Sequence, residues 1–376
     1  MNRRAQRRSR VWVDFDWWLL LAALGLAGLG VVEIHSAQPG QDFWMRQLAW
    51  IGLGLVGMIG LALIDYRRLA EMAWMWYAGA IGLLILVLIA GTEVNGARAW
   101  FRIGGVSIQP SEFAKLASVL ALALYLTKAQ EERRGRIDPY LTMGQLTRAT
   151  ALILVPMILI VLEPDQGTAI TYLPALAGAV FVAGIRPRWV ITGSLLLVLV
   201  MAAGWQGRRY FLKPYQLQRI EAILHPERVD PWGFGYHTMQ SNIAVGSGGL
   251  WGKGIAQGTQ SRLKFLPYPH TDFIASVVAE ETGFVGMVIV LGLYLFILMR
   301  AIDHARRARD QLGTILTAGL VCLLGFHIIV NIGMVVGLLP IMGIPLPLMS
   351  YGGSSMMTTF MALGLIASVR FHRYVN

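Results

Sequence analysis

The chain has 376 residues, 56% of them hydrophobic and only 14% charged, with a formal net charge of +11. An average soluble domain carries roughly 25% charged residues, and here the apolar residues come in repeated runs of membrane-spanning length, which excludes a merely enlarged soluble core. The positive charge lies mostly in short segments between those runs, so it points to the basic cytoplasmic loops of a polytopic membrane protein rather than to nucleic acid.

The start, MNRRAQRRSR, is basic, and the oily run after it has no small-residue cleavage site, so it reads as a retained first helix rather than a removed signal peptide. Apolar runs near 17–34, 48–64, 74–90, 113–126, 147–162, 168–184, 189–204, 273–299, 312–338 and 350–369 predict an all-α protein of about ten transmembrane helices. The single cysteine, Cys322, falls inside one of them, which leaves no disulfide framework and no thiolate metal cluster. The segments MNRRAQRRSR, DYRRLAE, KAQEERRGR, GIRPRW, RAIDHARRARD and RFHRYVN hold most of the basic residues, whereas SAQPGQDF, EPDQG and PIMGIPLPL hold none. The positive-inside rule therefore predicts both termini in the cytoplasm, in a single membrane domain over 1–376. Residues 205–271 then form one long outer loop between spans seven and eight, too rich in aromatic residues to read as disordered.

Charged residues at the edge of spans cost about 2.5–3.5 kcal/mol each on insertion scales, so each asks for a partner or a task. Four such clusters fall on the predicted outer side. In QPSEFAKL, Ser111 reads as an N-cap, and Glu112 and Lys115 share a helix face; an internal salt bridge and a polar cavity both account for them. EPDQG reads as an ordinary Pro-Asp turn. In the long loop, GYHTMQSNIAVGSGGLWGKG offers Gln240, Ser241 and Lys253 to phosphate or sugar hydroxyls, without the strand that a nucleotide-binding glycine motif requires.

The fourth cluster, LPYPHTDFIASVVAEETG, carries His270, Thr271, Asp272, Glu280 and Glu281. Thr271 or Asp272 could cap the next helix; a carboxylate at the mouth of an apolar bundle could equally serve as a general base of raised pKa. At least one of Glu280 and Glu281 is expected to face the bundle interior and pair with a basic group. Last, NIGMVVGLLPIMGIPLPLMSYGGSSM has the proline and glycine density of broken helices. Ser350, Tyr351, Ser354 and Ser355 could satisfy the freed backbone or a polar ligand, and close packing of small residues explains them equally well.

Together, QPSEFAKL, EPDQGTA, DPWGFGYHTMQSNIAVGSGGLWGKG, LPYPHTDFIASVVAEETG and NIGMVVGLLPIMGIPLPLMSYGGSS resemble the SEDS family of polytopic membrane proteins, in its elongation branch rather than its division branch. The resemblance implies a glycosyltransferase that polymerises lipid II into peptidoglycan at the outer face of the bacterial cytoplasmic membrane during elongation. It implies Asp272 as the catalytic residue and Glu112 and Lys115 in a central cavity. A class B penicillin-binding protein, membrane lipids and other elongation-machinery proteins are the implied partners, with no nucleic acid. The leaving diphosphate needs positive charge, from a divalent cation (Mg²⁺ or Mn²⁺, with Asp272 a candidate ligand) or from Lys115 and Lys253, then Arg208, Arg209, Arg219 and Arg262. No nucleotide or organic cofactor is implied. The rival readings are a lipid II flippase and a non-catalytic scaffold for a transpeptidase. A flippase needs a polar path to both faces, and these clusters gather on one.

Overall fold

The computed structural model describes residues 15–94, 96–135, 138–206 and 234–374. Helices α1 (Trp17–Ala37) and α2 (Phe43–Leu63) form the first hairpin, followed by a short α3 (Tyr66–Glu71) and α4 (Ala73–Ala90). Strands β1 (Thr92–Val94), β2 (Ala97–Ile103) and β3 (Val106–Ile108) come next, then α5 (Pro110–Glu131), α6 (Met143–Leu162), α7 (Gln166–Ile170), α8 (Tyr172–Gly184) and α9 (Pro187–Gln206). The remaining helices are α10 (Phe234–Ser247), α11 (Thr259–Arg262), α12 (Ile274–Arg306), α13 (Gln311–Val335) and α14 (Gly353–Phe371).

Among the described residues, nine helices are long and apolar enough to cross a membrane, counting α7 and α8 as one span. Helix α5 is a further helix of spanning length, at 22 residues or about 33 Å. Glu112 and Lys115 make it the most polar of the set, and it lies buried between α4, α6, α8 and α13, where those charges meet protein rather than lipid. The chain is thus a polytopic membrane protein, as its composition predicts. Helix α9, by contrast, exposes apolar side chains such as Ile191, Leu195 and Leu199 along its length.

Small residues set the helix spacing. A Cβ at Gly30 of α1 would come within 2.6 Å of the Met349 carbonyl, and one at Gly364 of α14 within 2.6 Å of the Met58 carbonyl on α2. Backbones at that range gain dispersion contacts that lipid cannot match.

The all-α architecture holds, with one addition, the small antiparallel sheet β1-β2-β3, whose β2 alternates Ala97, Ala99 and Phe101 with Arg98, Trp100 and Arg102, the period of a strand. Two expectations about helix caps change. Ser111 is not the cap of α5: Gln109 holds that place, Pro110 opens the helix, and the buried Ser111 hydroxyl has no hydrogen-bond partner. Neither Thr271 nor Asp272 caps α12, whose N-cap is Phe273.

Helix α12 is interrupted at Gly283, which takes φ +67°, a conformation open to glycine. The break frees backbone groups, and the loop after α10 uses them. Phe284 N–H donates to the Gly249 carbonyl (2.9 Å) and Val285 N–H to that of Leu250 (3.1 Å), while Lys253 and Gly254 N–H donate to the carbonyls of Glu280 (3.0 Å) and Glu281 (2.9 Å). A loop is in this way sewn into the broken helix at membrane depth, where unsatisfied backbone would be costly.

Candidate active site

Asp272 stands at the end of the loop that feeds α12, and its backbone is clamped from two other parts of the chain. The Asn331 side-chain amide on α13 donates to the Asp272 carbonyl (3.0 Å) and to that of Ile344 (2.8 Å). One residue earlier, the Ser350 hydroxyl donates to the Thr271 carbonyl (2.7 Å), and the His270 carbonyl accepts from Tyr351 N–H (2.8 Å). The His270 ring stacks on Phe43 of α2 at 4.6 Å between centroids. Burial lowers its pKa, which keeps the ring neutral to below the ordinary histidine range.

The Asp272 carboxylate itself, half-buried, makes no hydrogen bond among the described residues. Gly343, at φ +69°, lies against it; a Cβ there would sit 3.8 Å from Asp272 Oδ2. Burial pushes the carboxyl up to about 6, and Asp165 nearby adds to the shift. A carboxylate so placed is ionised at neutral pH yet has appreciable proton affinity, which is what a general base needs.

EPDQG is a turn, as its sequence predicts, but it also belongs to the site. Asp165 Oδ1 accepts from Thr168 N–H (3.0 Å) and so caps α7, while Oδ2 accepts from the Gln109 amide (2.8 Å). Glu163 is fully buried, and neither of its oxygens has a hydrogen-bond partner. Burial, with a contribution from Asp165, pushes it up to about 8, so that it stands protonated at neutral pH. The turn packs so closely on the 336–352 loop that a Cβ at Gly167 would lie 2.1 Å from the Met342 carbonyl.

Beyond the turn, Lys115 Nζ donates to Glu112 Oε1 (2.7 Å), with both residues only 4% exposed, and the Thr358 hydroxyl donates to Glu112 Oε2 (2.9 Å). The Ser354 hydroxyl accepts from Gln109 N–H (2.8 Å) and ties the start of α5 to α14. Both readings of the pair therefore hold: it is an internal salt bridge, and it lines a small cavity between α5, α13 and α14 whose other wall includes Leu116, Leu323 and Leu324.

The structure thus brings together Asp272, His270, Thr271, Glu112, Lys115, Ser350, Tyr351 and Ser354. Asp165, Gln109, Asn331, His327 and Thr358 join them, though the sequence reading singled out none of these. Asn331 and His327 were detectable in principle as polar residues inside an apolar run, where each needs a partner.

The other expected contacts are not at this site. Glu280 accepts from Lys253 Nζ (2.6 Å), the Thr259 hydroxyl (3.0 Å) and the backbone N–H groups of Thr259 (2.8 Å) and Gln260 (3.1 Å). Lys253 also donates to Thr259 Oγ1 (2.9 Å), so two of its three N–H groups are committed to this knot. Glu281 accepts from the Ser36 hydroxyl and from Ala256 N–H (2.9 Å). The expected pairing of a buried glutamate with a basic group is therefore met, in the service of holding the loop. Ser241 is buried, donating to the Val335 carbonyl (2.7 Å) and sharing a hydrogen bond with Ser276 (2.8 Å), so it fastens α10 instead of meeting sugar. Gln240 is half-buried on the same helix. Arg262 donates to the Ala256 carbonyl (2.7 Å), and Arg208, Arg209 and Arg219 lie outside the described residues.

The donor set gives a divalent cation little to hold. Among the described residues, no three His, Cys, Asp or Glu side chains converge, and the carboxylate nearest in charge to Asp272, that of Asp165, already accepts two hydrogen bonds. These residues do not make a cation site by themselves.

A bundle of spanning helices that holds a clamped, unpaired carboxylate and an ion-paired cavity defines a polytopic membrane protein. The FtsW/RodA/SpoVE family model, described as cell cycle protein, matches residues 12–375, and the chain belongs to this family. It is 40% identical over 365 residues to the peptidoglycan glycosyltransferase MrdB of Escherichia coli, covering 96% of this chain and 95% of that one. A solved rod shape determining protein RodA from Thermus thermophilus is 33% identical with a TM-score of 0.71, covering 97% of this chain and 99% of the other. A chain solved in work on "structural coordination of polymerization and crosslinking by a peptidoglycan synthase complex" is 36% identical with a TM-score of 0.81, covering 96% of this chain and 99% of that one.

Proposed function

We propose that this chain is a peptidoglycan glycosyltransferase that joins lipid II disaccharides into glycan strands at the outer membrane face during cell elongation, with both termini in the cytoplasm. The observation that carries the reading is the Asp272 carboxylate, left without a hydrogen-bond partner on a backbone clamped by Asn331, Ser350 and Tyr351. Its relatives named peptidoglycan glycosyltransferases support the reaction class.

In this mechanism Asp272 takes the proton of the acceptor sugar 4-hydroxyl. That oxygen bonds to the donor anomeric carbon as the bond from this carbon to the diphosphate oxygen breaks, with inversion, and undecaprenyl diphosphate leaves. A positioned general base contributes about 10²–10⁴-fold. Lys115, buried beside the cavity, is the cation for the departing diphosphate. A lipid-linked substrate suits the setting, since its tail can lie among the spans while its head group reaches the rim. A divalent cation that reaches this site would come with the lipid diphosphate rather than be held by the chain alone.

The partner proposed is a class B penicillin-binding protein, by analogy with the synthase complex containing the similar solved chain. The test is to incubate the purified protein with lipid II, with and without that partner, Mg²⁺ or a chelator, and to resolve the products on a gel. Glycan polymer from the wild type that is lost in a folded Asp272→Ala variant is the expected outcome. Polymer from neither, with the partner complex intact, overturns the reading.

A further inference from the structure

His327 lies on α13, is 5% exposed and lines the cavity beside Lys115. Its two ring nitrogens have partners of opposite kind. Nδ1 is 2.8 Å from the Leu323 carbonyl, one helical turn back. A carbonyl only accepts, so Nδ1 carries the hydrogen. Nε2 is 3.2 Å from Lys115 Nζ, and an ammonium only donates. Nε2 must therefore present its lone pair, and the two contacts together dictate a neutral Nδ1–H tautomer. A protonated ring would set N–H against N–H.

Lys115 has three N–H groups. One goes to Glu112 Oε1 (2.7 Å) and one to His327 Nε2. Glu112 is held in turn, because its second oxygen accepts from Thr358. With two donors fixed on two anchored acceptors, the tetrahedral ammonium can no longer swivel, and its third N–H is left for whatever enters the cavity.

We propose that His327 is a positioning residue for lipid diphosphate binding: as a neutral acceptor it fixes the Lys115 ammonium so that one N–H remains for the diphosphate of the lipid-linked substrate. The proposal rests on the glycosyltransferase reading above and adds a residue to it. Glu112 alone would supply the counter-charge and leave the ammonium free to rotate about a single contact.

Two variants separate this role from simple core filling. His327→Leu keeps an apolar side chain of similar reach but removes the acceptor, and His327→Gln restores an acceptor oxygen toward Lys115. The first measurement is binding of undecaprenyl diphosphate to the purified full-length protein in detergent. The loss of one charge-assisted contact predicts about tenfold weaker binding for His327→Leu, with His327→Gln recovering most of it. In lipid II polymerisation, His327→Leu is expected to lower kcat as well as raise KM, because Lys115 also meets the charge that develops on the departing diphosphate, and His327→Gln to restore both. In a Lys115→Met background, His327→Leu is expected to weaken binding no further, because the residue acts through Lys115. Equal binding by wild type and a folded His327→Leu protein overturns the proposal, as does an equal loss in the Lys115→Met background. Wild-type protein that neither binds undecaprenyl diphosphate nor polymerises lipid II overturns the glycosyltransferase reading instead.

Discussion

Asp272 and Glu280 belong to one stretch of sequence, and their surroundings differ in the quantity that decides a carboxylate's role. Glu280 accepts from an ammonium, a hydroxyl and two backbone N–H groups, which together hold the loop in the broken helix. Asp272 accepts from nothing among the described residues, although the backbone around it is fixed by three side-chain or main-chain donors. A carboxylate with every lone pair engaged stabilises structure, whereas one held in place but left unpaired retains its capacity to take a proton.

The largest expected effect of breaking this contrast falls on activity at Asp272. Asp272→Asn should reduce polymerisation at least about 10²-fold while leaving thermal stability at or above wild type, as a melting curve beside the polymer assay would show. The sign follows from the raised pKa: burial favours the protonated form, so the ionised carboxylate lowers the stability of the fold as pH rises from the ordinary carboxylate range through about 6. Removing the charge therefore costs no stability at neutral pH, and any gain should shrink toward pH 4.

Next in size is pH dependence. A base pushed up to about 6 is lost on acidification, so kcat/KM for lipid II should fall about tenfold per pH unit below that value and level off above it. The Asp272→Asn residual rate should not share this slope, which a pH profile of both proteins would test.

Glu280→Ala should show the opposite pattern. It strands Lys253 and the N–H groups of Thr259 and Gln260, at a cost of about 3 kcal/mol, read as a lower melting temperature and protease sensitivity between 248 and 262. Activity per folded molecule should fall far less than for Asp272→Asn. The smallest effect is expected at Glu33 on α1, fully buried against Glu281 with neither oxygen hydrogen-bonded. Glu33→Gln removes a buried carboxyl that has no hydrogen-bond partner and offers an amide N–H donor in its place. Thermal stability should rise by about 1 kcal/mol, measured as a melting shift of a few degrees.

How much of this was legible in the sequence depends on the range of the interaction that fixes each feature. Spanning helices are local, because a run of apolar residues suffices, and the family motifs marked Asp272, Glu112 and Lys115. Helix ends were less legible: proline at position 110 opens α5 a turn before the apolar run, and Gly283 breaks α12 without ending it. The division of labour among the carboxylates was not legible, since it rests on partners far along the chain. Asp165 meets Gln109, Asp272 is clamped from Asn331, and Glu281 meets Ser36. Ser241 shows the same limit, a plausible sugar contact by composition that is used to fasten α10 to Val335.

The most direct test of the central claim is a paired measurement of glycan polymerisation per folded molecule for Asp272→Asn and Glu280→Gln, alongside their melting temperatures. The expected result is a stable, inactive Asp272 variant and a less stable Glu280 variant that still polymerises. Polymerisation by the Asp272 variant at the wild-type rate would contradict it.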